Sequence, residues 1–175
     1  MEGLPKFLER VVGEPGLKAD SFNWIEGSEM PDPYRELLVH KRDMTSTLAK
    51  FHGSEIGLEV LKVAKEGEMY LREVILFARN TGAPVEYGAI QIQLAHFAAD
   101  ERGAIVGGTE PLGSILNRME CVYSSRPRGF FSIEAPLVCQ QRFGCGEGAV
   151  LYGRYNQLVG AEEKELASII EILPQ

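Results

Sequence analysis

The stretch Met69-Tyr70-Leu71-Arg72-Glu73-Val74-Ile75-Leu76-Phe77 constrains this chain most. β-Branched and aromatic residues dominate it and favour a strand, and Asn80-Thr81-Gly82 ends it with turn chemistry. Side chains alternate along a strand, so Tyr70, Arg72, Val74 and Leu76 share a face. That sets a guanidinium among apolar neighbours, where it needs an anion. Two readings follow: a structural pair with a protein carboxylate, or a seat for a substrate carboxylate, which the planar fork of Arg binds in bidentate fashion.

The 175 residues suit one domain with a real core. A formal net charge of −7 without a basic block argues against a nucleic-acid binder. No run of apolar residues is long enough for a membrane span, and Met1-Glu2-Gly3-Leu4-Pro5-Lys6 does not resemble a secretory signal. Cys121, Cys139 and Cys145 form an odd, sparse set that fits free thiols in a reducing cytoplasm. With no CxxC and with His40, His52 and His96 scattered, no metal site is expected.

Residues 1–33 read as an N-terminal extension packing on a domain of residues 34–175. The extension opens with an amphipathic stretch, Leu4 to Val12, and ends at Pro31-Asp32-Pro33; Trp24 is expected on the domain surface. Asp43 to Gly53 reads as a helix with Asp43 as N-cap, Gly53 just past the end, and Leu48 and Phe51 inward. Ile56, Leu58 and Val60 then alternate with Glu55, Gly57 and Glu59, which marks a half-buried strand. A turn at Lys65-Glu66-Gly67-Glu68 leads into the Arg72 strand, and a third strand runs from Pro84 to about Leu94, completing an antiparallel meander. Residues 95–108 read as helix and loop, and a helix start follows with Thr109 capping and Pro111 in the first turn. Met119 to Glu134 is extended, with a break at residues 124–129 whose Arg126 and Arg128 are solvated; Gly144, Gly146 and Gly148 mark a loop. Ala149 to Val159 and Leu166 to Leu173 form a last hairpin.

In the final strand Ile169, Glu171 and Leu173 share a face, so Glu171, like Arg72, is a lone charge in an apolar strand. If both face one cavity, the cation can hold an anionic ligand while the carboxylate accepts a hydrogen bond or works as an acid–base group. If they touch, they form a structural ion pair. Neither a phosphate-binding glycine loop nor a G-x-S-x-G elbow is present.

Four pieces in order resemble the chorismate lyase family: Asp43-Met44-Thr45, Leu71-Arg72-Glu73-Val74, Glu110-Pro111-Leu112-Gly113, and Leu151-Tyr152-Gly153-Arg154 leading to Ile169-Ile170-Glu171-Ile172-Leu173-Pro174. The likeness runs from about residue 37 to the C-terminus, and residues 1–33 and 120–148 depart from it. It implies an α+β fold with a single curved antiparallel sheet of about six strands and helical flaps enclosing a ligand cavity. It further implies that main-chain N–H groups at Met44 and Leu112 and the side chain of Arg72 hold a ligand carboxylate, while Glu171 meets the ring oxygen substituent. The implied activity is cofactor-free conversion of chorismate to 4-hydroxybenzoate and pyruvate, with Arg72 and Glu171 as catalytic residues in a cytoplasmic monomer. The alternatives are a non-catalytic module that binds small aromatic acids, as in effector domains of some transcription regulators, or a lyase acting on a related enolpyruvyl or aromatic acid.

Overall fold

The computed structural model describes Leu17 and residues 19–175. Among the described residues seven strands form one antiparallel sheet: β1 (Phe22–Ile25), β2 (Ile56–Glu66), β3 (Met69–Ala78), β4 (Pro84–Gln93), β5 (Tyr123–Glu134), β6 (Val150–Gly160) and β7 (Glu165–Leu173). Their order is β1-β5-β6-β7-β4-β3-β2, and the sheet is curved but open. The expected α+β architecture is therefore present, with a seventh strand at the edge because Phe22–Ile25 pairs with Ile133–Phe130 of β5. The Phe22 and Trp24 rings meet Phe131 edge-on, with centroids 4.7 and 5.5 Å away.

Strands β2 to β4 make the expected meander. The sheet is covered on both faces, which explains the almost unbroken apolar run of β3. On one face Leu71, Ile75, Tyr87 and Ile172 pack with Phe131, Ile133 and Cys139. On the other, Tyr70, Ile90 and Ile92 pack against Ile105, Ile115 and Leu116, while Val74 and Leu76 lie under Leu38, Met44 and Leu48. Fully burying each such aliphatic side chain contributes about 1.5–3 kcal/mol.

Five α-helices accompany the sheet among the described residues: α1 (Tyr34–Leu38), α2 (Met44–His52), α3 (Ala99–Gly107), α4 (Leu112–Arg118) and α5 (Leu137–Phe143). Helix α2 carries the expected end signals: Asp43 accepts from the Ser46 N–H at 2.8 Å, and Gly53 stops the helix at φ 58°. Leu48 is buried as expected, but Phe51 is 49% exposed, and Met44 and Thr47 take the inward positions instead. Helix α4 is capped by Pro111 rather than Thr109: Pro111 is extended, at ψ 148°, and the helix begins at Leu112. The expected break at residues 124–129 is a bulge within the continuous strand β5, at Pro127/Gly129, where a residue lacking an N–H is tolerated. Helix α5 was not anticipated, although Pro136 before it and Gly144 after it, at φ 70°, are ordinary helix punctuation. The amphipathic stretch Leu4 to Val12 lies outside the described residues. Among the described residues, no helix is long and apolar enough to cross a membrane.

Candidate functional site

Alternation along five neighbouring strands builds a cavity on the α2–α4 face of the sheet. Strand β3 contributes Arg72, Val74 and Leu76; β4 contributes Glu86, Gly88 and Ile90; β7 contributes Ile169 and Glu171; β6 contributes Asn156 and Leu158; β2 contributes Leu58. The roof is made by two helix starts, Asp43-Met44-Thr45 at α2 and Pro111-Leu112-Gly113 at α4. All four residues named from the sequence, Met44, Arg72, Leu112 and Glu171, thus line one cavity. The first turns of both helices carry N–H groups without an i−4 partner. Gly113 lets these turns approach closely, because a Cβ there would lie 2.8 Å from Thr45 Oγ1 and 3.1 Å from Asp43 Oδ1.

The cavity measures about 50 Å³, well below the roughly 300 Å³ at which pockets for drug-sized ligands begin. An aromatic acid therefore needs the roof or the lining side chains to yield before it can enter.

Arg72 is 2% exposed. Its Nη1 donates to the Ile105 carbonyl at 3.1 Å and its Nη2 to the Glu110 carbonyl at 3.5 Å. The guanidinium thus braces the end of α3 and the approach to α4, while the Glu110 side chain turns away to bind Arg118. Among the described residues no carboxylate pairs with Arg72. Burial pulls its pKa below the ordinary arginine value, with Tyr70 opposing.

Arg72 and Glu171 do not pair with each other. Glu171, 3% exposed, accepts from Arg154 Nε, and the two residues face each other across β6 and β7. Arg154 is fully buried and also donates to three carbonyls: Leu38 and His40 at 3.1 Å each, and Arg42 at 3.4 Å. The pair therefore fastens the segment leading into α2 as well as β7. Glu171 lines the cavity as half of an ion pair and not as a free carboxylate.

The sequence reading missed Glu86, Asn156 and Arg154. Glu86 is 4% exposed and lines the cavity. Burial raises its pKa well above the usual carboxyl value; Glu171 adds to the rise and Arg154 opposes it. Asn156 Oδ1 accepts from Ser125 Oγ at 3.1 Å. The rule that singled out Arg72 and Glu171 also applies to Glu86, a lone charge on the face of β4 that carries Ile90 and Ile92.

Among the described residues, the buried side-chain nitrogen and oxygen atoms without a hydrogen-bond partner are Arg72 Nε, Glu86 Oε2 and Asn156 Nδ2. All three residues line this cavity. Each such group costs about 1–3 kcal/mol when buried unsatisfied, so the fold concentrates that cost at one place. Together they offer two donors and a carboxyl oxygen to whatever enters. Arg126 and Arg128, expected to be solvated, lie away from the cavity and bind Glu163 and Gln157. Cys121, Cys139 and Cys145 are free thiols, and among the described residues no group of three or more His, Cys, Asp or Glu could hold a metal ion.

No protein-family model and no curated protein matches the sequence. Solved structures do. PhnF from Mycobacterium smegmatis aligns at 8% identity over 78% of this chain, with a TM-score of 0.58, and the match spans 65% of that chain, less than two thirds of its length. The effector domain of PhnF aligns at 8% identity over 75% of this chain and 88% of that domain, with a TM-score of 0.53. A GntR-family transcriptional regulator from Bacillus cereus aligns at 10% identity over 69% of this chain and 92% of that one, with a TM-score of 0.49. At such identities the first two likenesses establish the fold alone. The chain shares its fold with the effector domain of PhnF.

Proposed function

We propose that the cavity binds a small aromatic or enolpyruvyl carboxylate, held by Arg72 and by main-chain N–H groups at Met44 and Leu112. The observation that carries this reading is that Arg72 is buried at the cavity and, among the described residues, its Nε has no partner and no carboxylate pairs with it. A bidentate carboxylate supplies the missing acceptor and the missing charge. The fold shared with the effector domain of PhnF supports a binding module. Isothermal titration with 4-hydroxybenzoate tests the reading. Saturable binding at one site per chain is the expected result; no heat and no thermal shift at saturating ligand would overturn it.

A second reading, chorismate lyase, is favoured by the carboxyl groups of Glu86 and Glu171 on the same cavity as Arg72. In that elimination a ring C–H bond and the ether C–O bond break. The C–H electrons complete the aromatic ring, and the departing enolpyruvate takes up a proton to become pyruvate. Arg72 would orient the ring carboxylate, and the closed roof would exclude water while negative charge moves to the leaving group. Incubation with chorismate and coupled detection of pyruvate separates the two: turnover identifies an enzyme, and binding of 4-hydroxybenzoate without turnover identifies a binding module.

A further inference from the structure

We propose that Glu86 works as a neutral carboxylic acid that donates a hydrogen bond to an uncharged oxygen of the ligand, so that the cavity selects carboxylates bearing a hydroxyl, ether or carbonyl oxygen away from the carboxylate. This rests on the reading of the cavity as a carboxylate site.

Strand β4 lies between β3, which carries Arg72, and β7, which carries Glu171. Glu86 and Gly88 present the same face, and a Cβ on Gly88 would come within 3.3 Å of Glu86 Oε1. The absent side chain leaves space beside the carboxyl, and Glu86 Oε2 has no hydrogen-bond partner.

Charge then decides the protonation state. The charged or titratable groups around the cavity are Arg72, Arg154, Glu171 and Asp43, with His40 behind Arg154. Arg154 is committed to Glu171 and three carbonyls. Arg72 is committed to the carbonyls of Ile105 and Glu110 and makes no bridge to Glu86. Asp43 adds negative charge and caps α2. His40 is held towards its neutral form, by burial first and by Arg154 next. An ionised Glu86 would therefore be a second buried carboxylate on the cavity, beside Glu171, with no cation of its own among the described residues, an arrangement that resolves by keeping a proton. The same burial and the Glu171 charge hold the Glu86 carboxyl well above its usual range. A protonated carboxyl has an O–H to give. When a ligand carboxylate joins Arg72 it balances that cation, Arg154 balances Glu171, and Asp43 stays as excess negative charge, so an ionised Glu86 would only add to the excess.

The test has two independent arms on the full chain. Infrared spectroscopy of ligand-free protein at neutral pH should show the C=O stretch of a protonated carboxyl that disappears in Glu86→Gln, with circular dichroism confirming the fold. An identical carboxyl signal in both proteins would overturn the neutral state. In the second arm, 4-hydroxybenzoate is titrated into wild type, Glu86→Gln and Glu86→Leu. The carboxamide is neutral and donates, so it should restore most of the affinity that Glu86→Leu loses, about tenfold for one hydrogen bond. Equal loss in both variants, or none in either, would overturn the donor role. If wild type binds no 4-hydroxybenzoate at all, the carboxylate-site reading and the donor role fall together, while the infrared arm still decides the protonation of Glu86.

Discussion

Arg154 donates through Nε to Oε2 of Glu171 across adjacent strands, and this ion pair is buried in the sheet. Arg72, one strand beyond β4, faces the cavity with no carboxylate paired to it among the described residues. The choice between a structural and a ligand-binding arginine is therefore divided between two arginines. Arg154 meets the needs of Glu171, and Arg72 is the arginine proposed above to hold a ligand.

Replacing Arg154 with Met should be strongly destabilising. Glu171 would keep its burial but lose its cation, and the carbonyls of Leu38, His40 and Arg42 would lose their donor. Breaking a buried pair from one side costs about 3–5 kcal/mol. Urea denaturation measures it, and a loss below about 1 kcal/mol would show that the pair does not hold the fold.

Arg72→Ala should leave a folded, cooperatively unfolding protein with greatly weakened ligand binding. A charge-assisted contact is worth about 1.5–3 kcal/mol, or roughly 10- to 150-fold in affinity. Some stability should also be lost, since the Ile105 and Glu110 carbonyls lose their donor. Calorimetric titration with 4-hydroxybenzoate reads the effect, and unchanged affinity would make Arg72 a purely structural brace.

Glu86 should make stability fall with pH. Its unfolded carboxyl titrates near 4.5, while in the folded protein burial, with Glu171 adding and Arg154 opposing, raises the pKa well above that. Its contribution is fully present below about 4.5 and is lost as pH rises through the folded value. Glu86→Gln removes this titration, so the variant should gain on wild type with rising pH, by at most about 1.4 kcal/mol per pH unit. Denaturation midpoints across the pH range test this; a difference that stays constant with pH contradicts it.

Gly113→Ala should strain the roof. Its Cβ would sit 2.8 Å from Thr45 Oγ1 and 3.1 Å from Asp43 Oδ1, so the starts of α2 and α4 must separate or Thr45 must turn. Overpacking of this kind costs about 1–3 kcal/mol. Thermal unfolding and ligand titration should both show a loss, and a variant indistinguishable from wild type in both would mean that the close approach is unimportant.

The sequence by itself determined the local structure and the odd residues in it. Asp43 and Gly53 marked the ends of α2, period-two alternation marked the meander, and lone charges on apolar strand faces marked Arg72 and Glu171. Helix α5 and Glu86 were legible by the same rules but were not read. Only the tertiary structure decided which of these faces meet. Alternation orders side chains within one strand and carries no information about the strand beside it. The insertion of β7 between β4 and β6 sets Glu171 against Gly88 on one side and Arg154 on the other. That long-range register settled the partner of Glu171 and, among the described residues, left Arg72 and Glu86 without an ion-pair partner at the cavity; a separate pairing, with β5, holds the edge strand β1.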